Sequence, residues 1–141
     1  MKIRDAIELQ SGGPGSGRHV TLYHGTTLQR AQKIAKQGLK PGNRRVHNFS
    51  QRGMVYVTPS LSRAKTYAQR SLQSNNAHTA VVLQMKVPSE VHKKMKIDPE
   101  DKIGSKHYGG LMYQGKLSSK LITHAHYRSY SRGSWEKEEL K

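Results

Sequence analysis

The sequence of 141 residues contains no cysteine. That excludes a disulfide framework, thiolate metal sites and a cysteine nucleophile. Acidic residues are scarce: nine Asp and Glu stand against 25 Lys and Arg, for a formal charge of +16. An excess of that size does not specify a fold. It predicts attraction to polyanions, with nucleic acid the first candidate and an anionic membrane surface the second. Only 33% of residues are hydrophobic, with a single Phe and a single Trp, so the core must be lean. Long apolar runs are also missing. None approaches the roughly 20 residues of a membrane span, and Met1 to Gln10 lack the apolar centre of a signal peptide. The expectation is one soluble, cytoplasmic domain that faces a polyanion and not a membrane.

Three regions are expected: an N-terminal segment with a Gly-rich linker at 1–18, a folded domain at 19–126, and a basic, aromatic tail at 127–141. Residues 11–17 read SGGPGSG, which offers nothing to a core and reads as linker. They do not form a phosphate loop, because Arg18 and His19 stand where Lys and Ser/Thr are required. After a β-prone run at Val20–Tyr23, broken by Gly25, Thr26 or Thr27 is placed to cap a helix from about Leu28 to Gln37. Leu28, Ala31, Ile34 and Ala35 share one face of it, and Gly38 is a natural end. Asn43–Arg52 reads as a basic loop. Met54–Val57 reads as a strand, Ser62–Leu72 as a helix, and Ala80–Val87 as a central strand. Val91–Lys106 looks irregular. Leu111–Tyr113 and Leu117–Thr123 are further strand candidates, and the chain beyond His124 looks peripheral. The fold class is α+β, with two early helices and mostly antiparallel later strands.

Three short pieces carry chemistry: Tyr23-His24-Gly25-Thr26 at a strand end, the strand around Tyr56, and Ala64-Lys65-Thr66-Tyr67-Ala68 in the following helix. Loops after strand ends are common places for sites. A glycine there lets a ligand approach the backbone.

Together these pieces resemble the NAD-binding half of the ADP-ribosyltransferase fold, of the poly(ADP-ribose) polymerase and diphtheria-toxin type. The likeness runs from Leu22 to Ala68. It comprises His-Gly-Thr after a strand, Gly38-Leu39-Lys40-Pro41 at the end of a helix, Met54-Val55-Tyr56-Val57, and a second tyrosine, Tyr67, in the next helix. The resemblance implies a split β-sheet core and NAD as substrate. His24 would bond ribose hydroxyls, Gly25 would clamp the nicotinamide carboxamide through its backbone, and Thr26 would bond the adenosine-side ribose. Tyr56 and Tyr67 would sandwich the cationic ring, and His24 and Tyr56 would be the catalytic pair. Arg44, with Arg45 and Arg52, would meet the pyrophosphate or an acceptor. No metal is implied.

The sequence departs from that family at two places. A serine three residues before the second tyrosine is replaced by Ala64. The family's catalytic Glu falls at Gly110 or Leu111, neither of them acidic, which excludes polymer synthesis. The expected activity is therefore mono-ADP-ribosyl transfer to a host nucleic acid or a nucleic-acid-associated protein. The alternative is a silent domain of the same fold that binds nucleic acid or a virion partner by charge. An NAD-dependent RNA 2′-phosphotransferase shares the fold, but its basic tetrad is not recognisable here. The stretch SGGPGSGR resembles linkers of tailed-phage head proteins, which implies phage origin and a host cytoplasm. His124 and His126 would share one face of a strand without a specified third metal ligand.

Overall fold

The structure, a computed structural model, describes residues 2–9, 13–41, 53–75, 77–99, 101–103, 106–107, 109–129 and 133–140. The elements are α1 (Ile3–Ala6), β1 (His19–Thr27), α2 (Leu28–Gln37), β2 (Val55–Val57), α3 (Leu61–Asn75), β3 (Thr79–Pro88) and α4 (Ser89–Lys93). They continue with β4 (Lys96–Ile97), β5 (Lys102–Ile103), β6 (Lys106–His107), β7 (Leu111–Tyr113), a 3-10 turn at Ser119–Leu121, β8 (Ile122–Ser129) and β9 (Glu136–Glu139). The class is α+β with antiparallel sheets. One sheet has the order β1-β3-β8-β9, a second β2-β7-β4, and β5-β6 form a hairpin. β1 and β3 pair along their whole length, from His19 opposite Pro88 to Thr27 opposite Ala80. Tyr23 joins the two main sheets: its amide donates to the Thr58 carbonyl at 2.8 Å, and the Thr58 amide donates back at 3.0 Å.

Side-chain alternation along β3 sorts the core onto two faces. Val81, Leu83, Met85 and Val87 join Leu22 and the Ala31, Ile34 and Ala35 face of α2. Ala80 and Val82 lie beneath Ala64, Ala68 and Leu72 of α3. Those three positions are four apart and form one helix stripe. The small size of the two alanines lets the helix close onto the sheet. α2 spans the expected residues, because the Thr27 hydroxyl accepts from the Arg30 amide at 3.3 Å and Gly38 ends the helix with φ of 80°.

Packing runs past both expected boundaries at 18/19 and 126/127. Ile3 and Ile7 are fully buried in the main cluster, as is most of Leu140. The expected strand at Leu117–Thr123 is corrected. Leu117 makes only an isolated bridge to Leu39, and the Ser118 hydroxyl accepts from the Lys120 amide to cap a 3-10 turn before β8 begins. The chain after His124 is not peripheral, since β8 continues to Ser129 with Ala125, His126 and Tyr127 buried. The region at 91–106 contains the end of α4, β4 and the β5-β6 hairpin.

Candidate functional site

The three pieces singled out in the sequence meet midway along β1, where Tyr23 bridges to Thr58 and Gly25 abuts α3. His24 is half-buried, and its Nδ1 lies 2.7 Å from the Tyr56 carbonyl oxygen. A carbonyl only accepts, so Nδ1 carries the proton. Burial lowers the His24 pKa below 6.5, the Tyr56 bond opposes that, and the Arg30 charge adds to it. The ring is therefore neutral near pH 7, and its Nε2 is a hydrogen-bond acceptor. That suits a hydroxyl donor and excludes the donor role at Nε2.

Gly25 follows. Tyr23 turns both backbone groups toward Thr58. In an antiparallel strand, residues two apart direct their N–H and C=O to the same side. Gly25 therefore presents its backbone groups along the edge of β1 that faces away from β3. Its other face is closed: a Cβ would collide with the Ala64 carbonyl and lie 2.9 Å from the Ala68 amide nitrogen. This glycine seats α3 against the strand. Thr26 is 2% exposed, which leaves little of it for a ligand, and Thr27 is spent capping α2.

Tyr56 sits between Val55 and Val57, which face the core, so its side chain takes the opposite face of β2. Tyr67 is half-buried on α3. Its ring carries the Arg63 guanidinium 4.7 Å from the centroid, so one ring face is already occupied by a cation. Arg44, Arg45 and Arg52 lie outside the described residues.

A cluster that sequence reasoning missed completes this corner. The Asp101 side chain is fully buried, and its Oδ1 accepts from the Tyr67 hydroxyl in a short hydrogen bond. Arg63 reaches the same oxygen through Nε and Nη2, each at 2.9 Å. Oδ2 accepts from the Gly110 amide at 2.8 Å, and the Gly110 carbonyl accepts from the Asp98 amide at 2.9 Å. Burial pushes the Asp101 carboxyl up, but the Tyr67 and Arg63 bonds and the Gly110 amide outweigh it, holding the group below its ordinary range. Tyr67 is pushed up to about 12 by burial and by Asp101. Gly110, one of the two positions at which the resemblance asks for an acid, is thus a glycine with a carboxylate pressed against it. A Cβ there would lie 2.6 Å from Asp101 Oδ2. The available signal was acid density: three of the chain's nine acids fall within Asp98-Pro99-Glu100-Asp101.

The other histidines sit elsewhere. His126 Nε2 lies 2.9 Å from Gln84 Oε1, and its ring meets Tyr23 edge-on at 6.1 Å. Among the described residues no group of three or more potential ligands could hold a metal. No described helix is long and apolar enough to cross a membrane. Comparison with protein-family models and with curated proteins finds no match for this chain.

Proposed function

We propose that the chain is a mono-ADP-ribosyltransferase, with an ADP-ribosyltransferase-like split-sheet core, that takes NAD as substrate and modifies a nucleic acid or a protein bound to one. One observation carries this reading. His24 and Gly25 of β1, the Tyr56 backbone of β2 and the turn of α3 that carries Tyr67 come together, with the His24 ring fixed on the Tyr56 carbonyl and Gly25 seated against Ala64 and Ala68. In that arrangement His24 Nε2 accepts from a ribose hydroxyl, and the Gly25 N–H and C=O pair with a carboxamide. The Tyr67 ring, on the face away from Arg63, takes the nicotinamide. The glycosidic C–N bond breaks, nicotinamide leaves with the electron pair, and the transition state resembles an oxocarbenium ion, as in glycoside cleavage. The acceptor oxygen or nitrogen forms the new bond and gives its proton to solvent or to a base of its own. Asp101, enclosed by four hydrogen bonds, does not serve as that base. It positions Arg63 and Tyr67. Hydrolysis of NAD in water is then slow, since one missing general base costs about 10²–10⁴ in rate.

The same burial of the carboxylate supports a second reading, a silent domain of this fold that binds nucleic acid or a virion partner. Labelled NAD incubated with host lysate, followed by nuclease or protease digestion, separates the two. A label released by one digestion identifies the acceptor. Binding is tested by calorimetry, where Tyr67→Ala and His24→Ala should each weaken NAD by about 1–2 kcal/mol. Unchanged affinity in both variants sinks the site, and NAD binding without transferred label favours the silent domain.

A further inference from the structure

The segment from Glu90 to Lys102 has a mixed sequence, with Lys93, Lys94, Lys96 and Lys102 among Glu90, Asp98, Glu100 and Asp101. Folding sorts these charges. Asp98 and Asp101 turn inward and are 8% and 1% exposed, whereas Lys93, Lys94 and Lys96 are exposed. β4 is terminal in its sheet, so Lys96 and Ile97 lie along an edge. Ile97 is 65% exposed, the one large hydrophobic so placed among the described residues.

Lysine on an edge strand has a ready structural purpose, because it repels pairing with another chain. An exposed isoleucine at the same edge works against that purpose and needs another account. Charge alone does not single out this edge. Glu90 offsets one of its lysines, and α2 also carries Lys33 and Lys36, beside Asp5 and Glu8. Ile97 makes the difference.

We propose that the edge formed by Lys93, Lys94, Lys96 and Ile97 is a docking surface for single-stranded nucleic acid. Neighbouring residues of a strand point to opposite faces, so Lys96 and Ile97 offer a cation on one side and apolar surface on the other. A nucleotide unit is divided in the same way, into phosphate and base. A single strand exposes its base faces to such a contact, and a duplex stacks them away. This surface is separate from the NAD reading and would serve either a transferase or a silent domain.

The experiment uses the full chain without NAD, so its outcome does not depend on that reading. Fluorescence anisotropy is recorded with oligothymidine, with oligouridine and with a duplex of equal length, at several salt concentrations, with polyglutamate as competitor. The triple variant Lys93→Glu, Lys94→Glu, Lys96→Glu should lose about tenfold in single-strand affinity, and the slope of log K against log salt should flatten by about 2. A triple variant on α2 and the segment just after it, Lys33→Glu, Lys36→Glu, Lys40→Glu, changes net charge equally and should lose less than about threefold. Ile97→Ser should weaken single-strand binding by about threefold with an unchanged slope, and should leave duplex binding as it was. Equal losses in the two triple variants, or no effect of Ile97→Ser, would overturn the assignment. So would equal affinity for duplex, or displacement by polyglutamate as effective as by unlabelled strand, the latter pointing to an acidic protein instead.

Discussion

At Gly25 an added methyl group meets the backbone of α3, while at Gly110 it meets the Asp101 carboxylate. Neither glycine has a positive φ, so both are required for space and not for conformation. Overpacking typically costs about 1–3 kcal/mol. Gly25→Ala should fall at or above the top of that range, because helix backbone cannot step aside without moving α3. Gly110→Ala should cost less but should also pull Asp101 from the Gly110 amide. Urea denaturation of both variants checks the order, and equal or reversed costs would contradict the packing argument. A glutamate at Gly110 would not restore an acid to this corner; it would displace the one already there. Leu111, the other position where the resemblance looks for an acid, is partly buried against the core.

Local chemistry made α2 legible, since its cap and its terminating glycine lie within the helix's own sequence. The same is true of β7, whose observed residues match the expectation. The Asp101 corner was not legible, because the partners of the carboxylate lie 34 and 38 residues back, on α3. β4 was lost for a related reason: a strand of two residues has no period to read, and only its pairing with β7 defines it. The join between α3 and the Asp98–Asp101 segment gives the prediction at this scale. Removing one partner of a buried ion pair leaves the other charge uncompensated, at a cost of about 3–5 kcal/mol. Asp101→Ala should therefore be strongly destabilising. Asp101→Leu combined with Arg63→Met should recover part of the loss, because the uncompensated charge is gone while the Gly110 amide and Tyr67 hydroxyl still lack their acceptor. Thermal melts of the singles and the double form the test, and purely additive losses would contradict it. The Tyr67 hydroxyl supplies a local reporter. Burial leads in raising it to about 12 and Asp101 adds to that, so in Asp101→Asn its titration should move to lower pH, visible by NMR of labelled tyrosine.

For the whole molecule, the titrating groups predict how stability depends on acid. Burial is the leading cause that lowers His24, His124 and His126, with His126 brought to about 4, helped by the charges of Lys137, Lys65 and His124. A group with a depressed folded pKa contributes stability above its unfolded pKa and loses it as pH falls. For these histidines the loss begins near the ordinary 6.5 and, for His126, continues to about 4. Asp101 is also depressed, from 3.8, so its contribution is intact through that interval and is lost only at lower pH. The protein should therefore weaken in two stages, histidine first and carboxylate second. Protonation also adds to a formal charge of +16, and self-repulsion acts in the same direction, but salt screens that part. His126→Gln keeps a neutral hydrogen-bonding group beside Gln84 and removes one titrating ring. Urea midpoints from pH 8 to pH 3, at low and high salt, should show a shallower first stage in His126→Gln with the second stage unchanged. The difference should survive high salt, because a desolvated ring is not screened as surface charge is. A midpoint that stays level between pH 7 and pH 4.5 in the wild type, or a first stage abolished by salt alone, would assign acid sensitivity to net charge and not to the buried histidines.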